Sequence, residues 1–160
     1  MDEPEFEAFY RATAERLRVY LYRVCRERRI VDDLLQETYY RFLRSRFAGG
    51  SEEDRMRYLF RIATNLLKDH WAAAKRSAEL TSELPDPPAG EGMAIRLDVH
   101  SALGALRAAD REMLWLAYAE GCSHAEIAEI LEVKAASVRV LLFRARARLL
   151  ELLRRKGGES

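Results

Sequence analysis

"EGCSHAEIAEILEVKAASVRVLLFRARARLLELLRRK" runs from Glu120 to Lys156 and reads as a short helix, a tight turn and a long basic helix. That is the layout of a DNA-binding helix-turn-helix, in which the second helix enters the major groove. Ser123 offers an acceptor to the free amides of a helix start, and Glu126 completes the Ser-x-x-Glu capping pattern. Ala125, Ile127, Ala128 and Leu131 form the expected inward face of the first helix. After the turn Glu132-Val133-Lys134, Val138, Leu142, Ala145, Leu149 and Leu152 recur at helical spacing. Around them lie Lys134, Arg139, Arg144, Arg146, Arg148, Arg154, Arg155 and Lys156, against one acid, Glu151. Cations this dense suit phosphates, whose neutralisation supplies most non-specific affinity for nucleic acid. A solvated cationic helix on an ordinary bundle would look the same, so the segment alone leaves both readings open.

The chain has 160 residues, 49% of them hydrophobic, enough for one or two small cores and against global disorder. Its net charge is +1, but the charge is unevenly spread. Residues 1–76 hold 16 Lys/Arg and 13 Asp/Glu, residues 77–98 hold 1 and 5, and residues 99–160 hold 10 and 8. Two weakly basic blocks thus flank an acidic strip, a pattern that confines any electrostatic footprint to particular faces. Cys25 and Cys122 stand far apart without a CxxC or His/Cys cluster, so reduced thiols are expected and no disulfide framework or metal site. Asp2, Glu3, Glu5 and Glu7 crowd the start, unlike a secretory leader. No apolar run approaches the ~20 residues of a bilayer span. A soluble, cytoplasmic protein without direct membrane insertion is expected.

Proline and glycine gather in "SELPDPPAGEG" (Ser82–Gly92), the composition of a linker. Everything outside it reads helical, so the expectation is an all-α chain of two small domains: 1–76, a linker at 77–93, a second domain at 94–156 and a tail at 157–160. In the first domain, Phe6, Phe9, Tyr10, Leu17, Tyr20, Leu21 and Val24 mark one amphipathic helix. Ile30, Val31, Leu34, Leu35, Thr38, Tyr39, Phe42 and Leu43 mark a second. Ser45–Arg55 reads as a loop broken by Gly49-Gly50, with Ser51 as a cap for a third helix over 54–76. The second domain adds helices over 94–106 and 108–119.

Two faces of the first domain carry functional chemistry. Arg61, Asn65, Lys68, Trp71 and Arg76 on the third helix combine cations for phosphates, an amide for a base edge and an aromatic for stacking. Partial burial of Trp71 in ordinary packing competes with the stacking role. On the second helix, Asp33, Gln36, Glu37 and Tyr40 form a polar face without a nucleophile or nearby histidine, which suits protein docking better than catalysis. Metal-dependent hydrolysis at Asp32-Asp33 lacks further acidic ligands. His70, His100 and His124 are scattered, and neither a catalytic site nor a cofactor is expected.

"DDLLQETYYRFLR" followed by "YLFRIATNLLKDHWAAAKR" resembles region 2 of bacterial RNA polymerase sigma factors. "LRAADREMLWLAYAEGCSHAEIAEILEVKAASVRVLLFRARARL" resembles region 4, and the two blocks with only a short linker between them resemble the extracytoplasmic-function (ECF) subfamily. The resemblance implies that Asp33, Gln36, Glu37 and Tyr40 meet the clamp helices of the largest subunit of core RNA polymerase. It places the Ser45–Arg55 loop at a pocket for a flipped base of the minus-ten element. Arg61, Asn65, Lys68, Trp71 and Arg76 would line melted and upstream promoter DNA. Ser137, Arg139, Val140 and Arg144 would read the minus-thirty-five element, and the 94–119 helices would include the docking site for the flap of the second-largest subunit. An anti-sigma factor is the implied regulator. The chain would then be no enzyme, supplying promoter specificity while polymerase does the chemistry.

The basic helix departs from the family pattern. Lys134 stands where relatives carry a capping Ser or Asp, and Val140-Leu141 replaces a polar or basic pair. Val140, Phe143, Ala147 and Leu150 form a second apolar stripe opposite the one led by Leu142 and Leu149. That stripe fits contact with thymine methyls, packing against an anti-sigma factor or against region 2 in a closed, inactive arrangement, or tolerated surface apolarity. A helix-turn-helix regulator acting without polymerase is the alternative reading of the whole chain, and it predicts a palindromic operator.

Overall fold

The computed structural model describes residues 1–45, 47, 50–81 and 99–157. The chain divides into two compact units, Met1–Leu84 and Pro85–Ser160. Among the described residues every regular element is helical, as the patterning predicts.

The first unit is three mutually packed helices, α1 (Glu3–Cys25), α2 (Arg28–Arg44) and α3 (Glu52–Thr81). Asp2 starts α1: its carboxylate accepts from the Glu5 amide at 2.9 Å, and the Glu5 carboxylate accepts from the Asp2 amide at 3.2 Å. The helix stops at Arg26, whose φ of 61° turns the chain directly into α2. Apolar residues three and four apart then meet inside, with Leu17, Tyr20, Leu21, Val24, Leu59 and Leu67 fully buried. Buried hydroxyls pair across the helices, Tyr20 with Thr64 at 2.7 Å and Tyr39 with Thr13 at 2.6 Å, so the core carries them without an unmet polar cost.

Two boundaries differ from the sequence reading. The third helix begins at Glu52 rather than 54, because Ser51 and Asp54 cap each other's amides at 3.2 and 3.0 Å and order the whole first turn. Arg55 is therefore helical, and the loop ends at Ser51. The same helix continues to Thr81, five residues past its expected end, since no breaker stands between Arg76 and Thr81. The rest of the expected linker, the 94–98 start of the next helix, Gly49 and the 158–160 tail lie outside the described residues.

The second unit contains α4 (Val99–Ala105), α5 (Ala108–Leu114) running on as a π-helical turn (Trp115–Ala119), α6 (His124–Leu131) and α7 (Ala135–Gly157). The helices α4, α5 and α6 all pack on α7. Their core includes Ala102, Met113, Leu116, Ile127, Ile130 and, from α7, Val138, Leu142 and Ala145. Leu149 and Leu152 are half-buried. In α6 the inward face is Ile127, Ala128, Ile130 and Leu131. Ala125, expected inside, is exposed in the capped first turn, and Ile130 faces inward one residue before the helix end.

Candidate functional site

The outer face of α2 is held rigid from beneath. Val31, Leu35, Thr38, Tyr39 and Phe42 are buried. The Tyr39 ring meets Phe6, Phe9 and Tyr10 of α1 at centroid distances of 6.0, 6.5 and 4.8 Å. Thr13 donates its hydroxyl to the Phe9 carbonyl at 2.8 Å, which leaves Tyr39 to donate to Thr13. Burial pushes the Tyr39 phenol up to about 12. Above this base, Asp33, Gln36 and Tyr40 are exposed and Glu37 is half-buried, one turn apart in register. Arg41 donates to Glu37 at 2.9 Å, and Arg44 lies 5.8 Å over the Tyr40 ring. The structure thus brings the four expected residues together as one ridge, which exposed Leu43 extends. Asp32 instead bonds to Arg18 of α1, so it does not join Asp33 in a ligand pair. Among the described residues no three His, Cys, Asp or Glu side chains gather in a metal-like group.

The start of α3 is equally built. The Asp54 carboxyl is held below its ordinary value, first by the Ser51 amide and then by Arg57, to which it also bonds. Gly50 has φ +80°, and a Cβ there would collide with the Asp54 carboxylate, so only glycine fits this turn. Phe47 stacks on Tyr58 at 4.6 Å and approaches Phe42 at 6.4 Å, which ties the loop to α2 and α3. Sequence reasoning did not single out Phe47 and Tyr58. An aromatic inside a Gly/Ser-rich loop was the signal for the first.

Along α3, Arg61, Lys68 and Arg76 are exposed, and Asn65 is half-buried on the same face. Trp71 is half-buried at the edge of that face, bordering the buried side, so its indole divides between packing and surface. His70 pairs with Glu27 at 3.1 Å and fastens α3 to the α1–α2 corner, a structural use of that ring.

In the helix-turn-helix, Ser123 and Glu126 form the expected reciprocal box at 3.1 and 3.0 Å. The turn passes through Glu132 at φ 56°, and the Val133 amide returns to the Ala128 carbonyl at 3.1 Å, a Schellman-type closure. Ser137 donates its amide to the Lys134 carbonyl at 2.9 Å. Ser137 is half-buried, while Arg139, Val140 and Arg144 are exposed. The second apolar stripe lies at the surface, with Val140 48%, Phe143 65% and Leu150 54% exposed and Ala147 open.

Two arginines counted as basic-helix charge have protein partners. Arg148 Nη1 donates to both oxygens of buried Asp110 at 2.9 Å, with Arg107 3.5 Å from the same carboxylate. It ties α7 to α5. Arg146 donates to the Tyr118 hydroxyl at 2.8 Å. Neither pairing follows from local periodicity, because the partners lie far apart in the chain.

Comparison with known proteins gives the same two modules. Residues 9–77 match the sigma-70 region 2 family and residues 96–149 match sigma-70 region 4. The chain is 31% identical over 135 residues to RNA polymerase sigma factor NccH of Alcaligenes xylosoxydans xylosoxydans, covering 77% of this chain and 73% of that protein. It is 29% identical over 172 residues to ECF RNA polymerase sigma factor SigE of Mycolicibacterium smegmatis, covering 98% of this chain and 65% of that one. Its fold is similar to the sigma factor RpoE of Bartonella quintana, solved in complex with the anti-sigma factor NepR. That match has a TM-score of 0.78 and 25% identity, over 94% of this chain and 97% of that one. The chain belongs to the ECF group of RNA polymerase sigma factors. These are transcription initiation factors rather than enzymes, and the polymerase-independent regulator is left without support.

Proposed function

We propose that this chain binds core RNA polymerase through the outer ridge of α2 and carries it to promoters that its two units read at separate elements. The observation that supports this most is the pairing of both sigma regions, in order, on separately packed units that each expose the faces described above. Asp33, Gln36, Glu37 and Tyr40 meet the clamp helices of the largest subunit, where an acidic ridge with an aromatic anchor suits a basic helical partner. The helices before the motif in the second unit take the flap of the second-largest subunit.

Promoter DNA meets the other faces. Arg61, Lys68 and Arg76 neutralise phosphates along α3, Asn65 pairs with a base edge, and Trp71 offers the accessible part of its indole to an unpaired base. Phe47 and Tyr58 form the wall beside which an extruded minus-ten base stacks, offsetting part of its unstacking cost. In the second unit, Ser137, Arg139, Val140 and Arg144 on α7 enter the major groove at the minus-thirty-five element. Lys134 at the helix start offers no acceptor for the first amides, so anchoring there comes from charge more than from a cap. The functional division is region 2 at 1–76, a connector at 77–93 and region 4 at 94–156. Similarity to a sigma factor solved with an anti-sigma factor supports an anti-sigma partner here, and the site of action is the cytoplasm.

Core affinity tests the α2 assignment. Replacing Gln36 and Glu37 by alanine is expected to weaken binding to core polymerase at least tenfold, with the melting curve of the free chain unchanged. Unaltered affinity contradicts the assignment.

A further inference from the structure

The corner between α1 and α2 carries four arginines, Arg23, Arg26, Arg28 and Arg29. Arg28 and Arg29 are exposed, and Arg23 and Arg26 are half-buried. Elsewhere in the first unit Arg11, Arg18, Arg41 and Arg57 pair with carboxylates. Among the described residues none of the corner arginines has such a pair. Glu27, in their midst, bonds to His70, and Asp32 bonds to Arg18. The guanidinium groups of Arg23 and Arg28 converge on the Tyr22 ring, 5.8 and 5.2 Å from its centre. Among the described residues the buried Nε of Arg23 has no hydrogen-bond partner.

These charges do not serve the fold. Glu27 stands at the start of α2 without a side-chain cap, the first turn holds no acid, and Arg28 and Arg29 oppose the positive end of the helix dipole. Cations this close repel one another, and an external anion relieves the repulsion.

The neighbours decide which anion. Val24 and Cys25 are buried and Ile30 is half-buried, so the corner offers little apolar anchor to a protein surface. Tyr22 is half-buried under two cations, which leaves no open ring for an unpaired base. What remains is charge, and charge suits the regularly spaced phosphates of a duplex. The His70–Glu27 bond joins the corner to α3 well beyond the Phe47–Tyr58 loop. From Glu52 to His70 the helix advances about 27 Å, the length of roughly eight base pairs. Ala73, Ala74 and Ser77 continue the His70 side of α3, are exposed, and carry no bulk that would screen the corner.

We propose that the α1–α2 corner grips the phosphate backbone of paired promoter DNA upstream of the minus-ten element, about eight base pairs from the captured base. Arg26, Arg28 and Arg29 make the contact, with Arg23 behind them. It carries no sequence information and extends the hold of the first unit into spacer duplex. Its place on the promoter rests on the reading of α3 as the melted-strand face, whereas the preference for phosphates rests on the arginines alone.

Holoenzyme made from core polymerase and the full chain tests this on two forked probes from a promoter it uses. Both carry a single-stranded minus-ten element; one has about three base pairs of upstream duplex and the other about twelve, short of the minus-thirty-five element. The parent is expected to bind the longer probe about tenfold more tightly at low salt. Arg28→Ala, Arg29→Ala should lose most of that gain, bind the short probe as the parent does, and lower the salt slope on the longer one by about 2. Its circular-dichroism melt should be no lower than the parent's, since both cations oppose the helix dipole. Arg28→Lys, Arg29→Lys should recover most of the gain, because a point charge suffices for phosphate. A parent without the gain, or an alanine variant that keeps it, overturns the proposal. So does an alanine variant that loses affinity for core polymerase in the absence of DNA, which would make the corner a protein-docking surface. Lys68→Ala should weaken binding to both probes. If it weakens neither, the reading of α3 falls, while the gain on the longer probe still decides for or against the corner.

Discussion

A buried carboxylate held by a distant arginine does more for the basic helix than its charge count suggests. Asp110 is 6% exposed and accepts on both oxygens at 2.9 Å from Arg148, with Arg107 farther off at 3.5 Å. Removing one partner of such a pair leaves the other charge poorly compensated, though Arg148 remains partly solvated, which lowers the cost. Arg148→Ala is expected to destabilise the second unit by about 2 kcal/mol. Urea unfolding followed by Trp115 fluorescence in a Trp71→Phe background would show it, because each unit contains one tryptophan. Tyr39 sets an alkaline limit on the first unit. Its folded phenol sits at about 12 against the ordinary 10.0 of a solvated tyrosine, so it binds a proton that the unfolded chain has released between those pH values. Its contribution is whole below about pH 10 and is lost as pH rises towards 12. Tyr39→Phe should remove that part of the alkaline loss, at a cost near 1 kcal/mol at neutral pH from the missing hydrogen bond. Parallel stability-versus-pH curves for parent and variant would count against burial as the cause. Asp54 has the opposite sense: its lowered carboxyl supports the α3 start above roughly pH 4, and that support is lost as pH falls.

At the scale of the element, caps and spacing were legible in the sequence, while long-range tertiary detail was not. The Ser123–Glu126 box, the Ser51 cap and most of the core faces of α1 and α2 follow from local rules, and the structure has them where those rules place them, except that Tyr10 and Leu43, expected on those faces, are exposed. The extension of α3 to Thr81 was missed because composition alone set the helix end at Arg76. The π-helical turn at Trp115–Ala119 was invisible, since the Glu120 amide reaching five residues back to Trp115 leaves no periodic mark. That wider turn carries Tyr118 to the surface beside Arg146. Of the site residues, those on the α2 ridge and the α3 cations were legible from helical register, but how far Trp71 is buried depends on neighbours from other helices. Gly50 gives a test at this scale. Gly50→Ala forces a Cβ onto the Asp54 carboxylate in a left-handed turn, so it should unlatch the α3 start at a cost of at least ~1–2 kcal/mol. A first-unit unfolding midpoint equal to the parent's would remove the role given to that turn.

For the whole molecule, the account joins a polymerase-docking ridge and a melted-strand face on one unit to a duplex-reading helix on the other. If α7 reads duplex as proposed, the free chain is expected to bind duplex DNA weakly, because its base-reading groups would be few and charge would carry most of the binding. Arg139→Ala and Arg144→Ala should each lower duplex affinity across sequences and reduce the salt slope by about 1 if they hold phosphates. The measurement that bears most directly on the central claim is run-off transcription with core polymerase and this chain on a pool of genomic promoter fragments. The account predicts discrete start sites that require the chain and vanish when either promoter element is replaced. No initiation, together with tight binding of the chain alone to a palindromic duplex, would contradict it.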